Sequence, residues 1–391
     1  MKKIVTSFIA LIFLTGCWNY QELNNYSIVT GIAIDKHNNE YEVAVLIANS
    51  PKNNTDNSEN SSKVVVYSGY GKSIFSAIKD IGLISAKELY LGHFSVLLIS
   101  EEVAKDGINN VVDLFLRESS SKKNFYIAIT KDCKAKDALK IITPLSNYSS
   151  QNISDNLSST TKLQGIISNI DFNELLSNLK RPGVENAINS IIIIGNAEEG
   201  SSKKNIETSE PSTYIKLGPL GLFKDDKLVY WTDDDESIGI NIVRNKTKEM
   251  YVIVKYYNST TVIDNTELKT NINVSLENKL PKVNISISGE GKLVEVTGDV
   301  DITSSKVINS LNQKLNLEIE KYIQKGIMAS FNNNTDVFGF GLMFYREYPN
   351  YYDKVKNNWQ NELRKIKINI NSNIILKTRG SSQISLEDKN D

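Results

Sequence analysis

The run SSKVINSLNQKLNLEIEKYIQKGIMAS, residues 304–330, decides how the last third of the chain folds. Ile308, Leu311, Leu315, Ile319, Tyr322 and Gly326 are spaced 3, 4, 4, 3 and 4 apart, with Val307, Ile323 and Ile327 beside them. That is the period of one helix face. The run predicts a helix roughly 40 Å long at 1.5 Å per residue. A coiled coil is rejected, because about four heptads are marginal and the polar face lacks e/g charge pairing. The stripe is therefore a core face, and the flanking sequence supplies a sheet for it. Ile272, Val274 and Leu276 alternate with polar residues, as do Val283, Ile285 and Ile287, and then Ile366, Ile368 and Ile370. Period two with polar residues between predicts antiparallel strands with one wet face. Residues 251–254 read as a further strand.

Upstream, strands alternate with helices. Residues 26–34 and 41–48 predict a hairpin around Asp35-Lys36-His37-Asn38-Asn39. Residues 49–62 form a polar loop and 64–67 a short strand. Ile74, Ile78 and Ile81 place a helix within 73–84, and 93–100 is a near-continuous apolar strand. Residues 101–116 predict a helix that breaks near Gly107; 125–130 predict a strand and 135–142 a helix. The Ser- and Asn-rich residues 147–161 read as a loop or domain joint. Asp171 caps a helix stopped by Pro182-Gly183. Residues 191–194 are a buried strand, 197–213 are turn-rich, and 213–231 are β structure with turns at Gly218-Pro219 and Lys224-Asp225-Asp226. The fold class is α+β. Three regions follow a leader at 1–16: an N-terminal α/β region at 17–182, a β-rich middle at 183–248, and a C-terminal α+β domain at 249–391. No internal repeat at a fixed period is present.

The leader has Lys2 and Lys3, then a mostly apolar stretch over 4–14, then Leu14-Thr15-Gly16-Cys17. It is far short of the roughly 20 residues a spanning helix needs, so it reads as an export signal. Leu-Thr-Gly-Cys looks like a bacterial lipobox. The expectation is lipidation of Cys17 and cleavage before it, giving a protein anchored to a membrane without spanning it. The net charge of −1 becomes −3 without the leader, since Lys2 and Lys3 lie there. With no basic excess, nucleic-acid binding is not expected. If Cys17 carries lipid, Cys133, the other cysteine, has no disulfide partner. Cys133 lies among Lys131, Asp132 and Lys134, which favours either a thiolate or an inert turn residue.

Chemistry is sparse. The two histidines are His37 and His93, and no Cys/His/Asp set has zinc spacing. No nucleophile elbow, P-loop or dinucleotide fingerprint appears. Asp233-Asp234-Asp235-Glu236 lacks the alternating spacing of a calcium loop and reads as a solvated turn. Gly339-Phe340-Gly341 is followed by no phosphate-binding lysine. The chain is expected to be no enzyme and to need no cofactor.

Four segments in order carry a resemblance. They are Cys17-Trp18-Asn19-Tyr20-Gln21-Glu22-Leu23-Asn24 with Ile28-Val29-Thr30-Gly31-Ile32-Ala33-Ile34-Asp35; Glu88-Leu89-Tyr90-Leu91-Gly92-His93 with Arg117 beyond; Gly221-Leu222-Phe223 with Lys227-Leu228-Val229 and Trp231; and residues 336–341 with Tyr345-Arg346, Tyr348-Pro349, Trp359 and Arg379-Gly380. Together they resemble the Ger(x)C spore-germination lipoproteins, the C subunits of nutrient germinant receptors. Asn19 departs from that family's Cys-Trp-Asp, and Thr232-Asp233-Asp234 approximates its acidic turn.

The resemblance implies three mixed α/β domains and a lipid-anchored, non-catalytic subunit on the outer face of the spore inner membrane. It implies two integral-membrane partners, an A-type and a B-type subunit, one of them transporter-like. Trp18 would sit at the membrane interface. His93 reads as a germinant or subunit contact, or as a hydrogen-bonded core residue. Arg346 reads as pairing a partner carboxylate or one within the chain. Trp359 and Tyr348 read as core against the sheet or as interface anchors. Gly339 and Gly341 read as permitting a tight bend between helices. The alternative function, a solute-binding lipoprotein of an ABC importer, requires two similar lobes around a cleft.

Overall fold

A computed structural model describes residues 25–49, 64–118, 121–146, 148–159, 165–298 and 300–377. Cys17, Trp18 and the Arg379-Gly380 pair lie outside them. The first sheet has the order β3-β2-β1-β5-β6-β7-β8-β9, with β4 beside β1. Its strands are β1 (Tyr26–His37), β2 (Glu40–Ala48), β3 (Val64–Gly71), β4 (Glu88–Tyr90), β5 (Val96–Ser100), β6 (Tyr126–Thr130), β7 (Ala187–Ile194), β8 (Tyr214–Lys224) and β9 (Lys227–Trp231). β1, β5, β6 and β7 are parallel neighbours. All five residues of β5 are buried, as expected of a strand covered on both faces. Strands on either side of residues 182–183 thus share one sheet.

Helices cover both faces. α1 (Ile74–Ile81), α2 (Glu101–Asp106), α3 (Asn109–Arg117) and α6 (Phe172–Lys180) pack one face, around rings of Phe94, Phe115, Phe125 and Phe172 whose centroids lie 4.3–5.5 Å apart. α4 (Ala135–Lys140) and α5 (Ser149–Ser159) pack the other. Gly107, with φ of 126°, breaks the run between α2 and α3 as expected. Asp171 caps α6 by accepting from the Glu174 amide.

Three local readings change. Residues 149–159 form a helix, not a loop, because Ile153 and Leu157, four apart, bury against the sheet; tertiary packing overrides the weak helix preference of Ser and Asn. Gly218-Pro219 lies inside β8 as a bulge opposite Asn189 and Ser190, a place that tolerates proline's missing N–H. The hairpin turn is Asn38-Asn39, with φ of 47° and 65°, as a two-residue primed turn demands. β1 therefore runs on through Asp35, whose buried carboxylate accepts from the Ala135 and Lys136 amides at 2.8 Å, holding the start of α4.

Two short helices, α7 (Ala197–Gly200) and α8 (Lys204–Glu207), lie between β7 and β8, and α9 (Asp234–Val243) follows β9. The acidic run explains itself here. Asp233 and Glu236 form a capping box at the start of α9, where carboxylates suit the helix dipole.

The second sheet has β10 (Met250–Tyr256), β11 (Ser259–Glu277), β12 (Leu280–Thr297) and β13 (Lys367–Lys377) in that order. Met250, Val252 and Val254 face the core, while Tyr251 and Ile253 face out. The first three strands are antiparallel, but β13 pairs parallel with β12. The reason is connectivity: the chain leaves β12 through α10 (Ser305–Asn332), α11 (Phe340–Glu347), α12 (Pro349–Val355) and α13 (Trp359–Leu363) before returning, and a long crossover permits a parallel return. α10 is the helix of the opening stripe, and it buries Leu311, Leu315, Ile319 and Ile323.

α10 also covers the free edge of β13. Asn312 and Asn316 accept from the Leu376 and Ile374 amides at 2.8 Å, and Glu320 accepts from Ser372 at 3.0 Å. Four helix residues rise about 6 Å and two strand residues about 6.6 Å, so side chains four apart meet alternate strand amides. An exposed edge strand would otherwise template association.

The two sheets share a core. Ala187, Leu220 and Leu222 of the first sheet pack with α9, α10, the second sheet, Phe340, Phe344 and Trp359. α9 crosses α10 closely. A Cβ at Gly239 would lie 1.8 Å from the Tyr322 carbonyl oxygen, and one at Gly326 would lie 2.6 Å from the Ile240 nitrogen.

Gly239→Ala must therefore part the two helices. The expected cost is about 2–3 kcal/mol, read as a lower urea midpoint; an unchanged midpoint would refute the close crossing. Asn312→Leu combined with Asn316→Leu should cost about 2–4 kcal/mol through unpaired strand amides and add a self-associated species on gel filtration.

Candidate functional site at the junction of the sheets

The segment after α10 begins with a locked turn. Ser330 Oγ donates to the Thr335 carbonyl at 2.6 Å, and Thr335 Oγ1 donates to the Ser330 carbonyl at 3.0 Å. This delivers Asp336, fully buried, into the junction. Its carboxylate accepts from the Phe340 amide at 3.0 Å, the Gly341 amide at 2.7 Å and Trp359 Nε1 at 2.9 Å. One acidic side chain thereby fixes the start of α11 and clamps α13 against it.

Glu185 answers from the loop that leads into β7. Its amide donates to the Asp336 carbonyl at 2.9 Å. Its carboxylate accepts from the Asp336 amide at 2.6 Å and pairs with Lys224 of β8. Beside it Gly183, φ +69°, lies against Gly341: a Cβ on Gly341 would stand 2.7 Å from the Gly183 Cα. The Leu342 amide donates to the Gly183 carbonyl at 3.0 Å. Gly339, φ 72°, makes the expected bend, whereas Gly341 is required by close approach and not by a bend.

Burial raises Asp336 to about 6, against its three donors. Burial also raises Glu185, against Lys224. A cavity of about 360 Å³ opens beside the latch, lined among others by Arg181, Glu185, Lys224, Asp225, Lys356 and Trp359. Asn186 also lines it; it is fully buried, and its Nδ2 has no partner among the described residues. The arrangement mixes charges of both signs and offers polar binding groups.

Of the residues singled out from sequence, the junction gathers Trp359, 7 % exposed, as a clamp. Tyr348 is half-buried and packs on Phe344. His93 is elsewhere and is no core histidine: it is exposed, its ring 5.5 Å from that of Tyr90. Arg346 is exposed on α11 with no ion pair among the described residues, so the expected pairing within the chain is absent there. Burial lifts the Cys133 thiol to about 11, so the inert reading of that residue stands. Among the described residues no cluster of three His, Cys, Asp or Glu side chains suits a metal ion, and no helix is long and apolar enough to cross a membrane. Sequence reasoning missed Glu185 and Lys224. The available signal was an acidic residue directly after Pro182-Gly183-Val184, where a loop meets a strand.

The N-terminal domain model of spore germination proteins matches residues 19–194, and the model described as "Spore germination B3/ GerAC like, C-terminal" matches residues 219–380. The chain belongs to this spore germination family, the Ger(x)C proteins. It is similar to spore germination protein KC of Bacillus subtilis (strain 168), 26 % identical over 96 % of this chain and 95 % of that one. Spore germination protein YndF of the same organism is 21 % identical over 96 % of both chains. GerQC of Bacillus cereus is 20 % identical over 87 % of this chain and 89 % of that one. The crystal structure of the GerBC protein superposes with a TM-score of 0.54 at 16 % identity, covering 92 % of this chain and 99 % of that one. This last likeness shows the shared fold.

The raised Asp336 has a signed consequence. Its folded pKa of about 6 exceeds the roughly 3.9 of an unfolded aspartate, so its contribution is full below about pH 4 and lost as pH rises through about 6. Between pH 7.5 and pH 5 the wild type should gain about 1 kcal/mol from this group. Asp336→Asn should lose about 2–3 kcal/mol at neutral pH, because its amide would face three donors, and should lack that gain. Unfolding curves of both proteins at the two pH values measure the difference; parallel pH slopes would refute it.

Proposed function

We propose that the chain is a lipid-anchored, non-catalytic subunit of a spore nutrient germinant receptor, held by Cys17 at the outer face of the spore inner membrane. It acts beside two integral-membrane subunits, of A and B type, in germinant-triggered germination. The observation that carries this reading is the ordered match of two family models from residue 19 to residue 380. The Leu14-Thr15-Gly16-Cys17 run immediately before it supports the anchor. The importer alternative is disfavoured by architecture. One sheet is large and mostly flanked by helices on both faces, the other is a four-stranded sheet with one long helix, and the two share a core, unlike two similar lobes around a cleft.

Tagged protein drawn from spore membranes in mild detergent should bring two multi-spanning subunits and no ATPase, identified by mass spectrometry. Recovery of an ABC permease with its ATPase would replace this reading with solute uptake. Cys17→Ala should leave the fold intact and release most of the protein from washed membranes.

A further inference from the structure

At the edge where the chain enters the first sheet, α1 shows two faces. Ile74, Ala77, Ile78 and Ile81 are buried. Phe75 and Lys79, four apart, lie on the other side, and Leu83 stands in the turn just beyond the helix. Phe75 is 53 % exposed, Leu83 87 % and the adjoining Ile84 56 %. The Lys79 ammonium lies 5.3 Å over the Phe75 ring. Lys72 and Lys87 are exposed at either end. Four acidic residues stand near: Asp80 accepts from the Tyr70 amide, Glu88 is exposed, and Asp113, paired with Arg117, and Glu118 line a hollow with Phe75. Single exposed apolar residues need no explanation. Three within ten residues, with exposed lysines before, between and after them in the chain, form an amphipathic surface of the kind that lies on anionic lipid.

The location points the same way. Ser85, next to Ile84, lies with its Oγ 3.3 Å from that of Ser27, and β4 runs parallel to residues 26–28. The Tyr26 ring packs on Tyr90 at 5.6 Å, and Tyr90 on His93 at 5.5 Å. The tip thus stands beside the start of β1, nine residues after Cys17. Nine extended residues span at most about 30 Å. A lipid on Cys17 would hold this face within reach of the bilayer, where even a weak contact is favoured by its high effective concentration. Tyr26 and Tyr90 are of the residue type that settles at headgroup level.

We propose that Phe75, Leu83 and Ile84, with Lys79 and Lys87, dock on an anionic lipid surface and so fix the orientation of the tethered protein. The inference rests on the anchor reading above. The test uses the full chain, processed and lipidated in a bacterial host, with Cys133→Ser and either Leu83→Cys or Tyr257→Cys carrying an environment-sensitive fluorophore. Tyr257, 88 % exposed in the turn between β10 and β11, is the control. On vesicles of phosphatidylcholine with phosphatidylglycerol, the probe at position 83 should shift to the blue and be quenched by spin-labelled lipid, and the probe at 257 should not. Lys79→Glu with Lys87→Glu should lower the docked fraction roughly tenfold at low salt. Protein that floats with the vesicles while position 83 stays water-like would overturn the docking and leave the anchor. Protein that does not float would overturn the anchor and the docking with it. Equal shifts at 83 and 257 would overturn the fixed orientation.

Discussion

A single buried carboxylate holds the two sheets together. Asp336 arrives from the end of α10, takes three donors from α11 and α13, and meets Glu185, in the loop that leads into β7 of the first sheet, through backbone and side chain alike. A buried ion is costly unless its hydrogen bonds are filled, and here they are. The Gly183–Gly341 contact lets the backbones approach closely enough for this to happen. Around it Ala187, Leu220, Leu222, Phe340 and Phe344 close a core that belongs to both sheets. The electrostatic latch sets geometry, and the apolar core supplies most of the stabilisation.

Much of this was legible in sequence where periodicity was strong. The stripe from Ile308 to Ile327 gave α10, and the alternation of Val283, Ile285 and Ile287 gave β12. Caps at Asp171 and the break at Gly107 obeyed local rules. What escaped did so for tertiary reasons. Ile153 and Leu157 made a helix of a Ser/Asn-rich segment because a sheet face lay beneath them. β13 ran parallel to β12 because the intervening helices form a crossover, which alternation alone does not reveal. Asp35 looked like a turn residue but holds the start of α4, a contact across about 100 residues of chain.

The site followed the same division. Trp359 and residues 336–341 stood out as segments in a resemblance, but their joint purpose is visible through Asp336 alone. Glu185 and Lys224 carried no motif, because a buried latch is specified by where the chain folds back and not by spacing. His93 proved to be a surface residue whose ring lies tilted against that of Tyr90 near the start of β1, outside the core.

The central claim is that the Asp336–Glu185 junction makes one cooperative unit of the two sheets. Hydrogen exchange of β5 and β12 amides, followed by mass spectrometry across a urea series, tests it most directly. The account predicts that both strands lose protection at the same urea concentration. Loss of protection in β12 while β5 stays protected would contradict it, and would mean that the two sheets unfold independently.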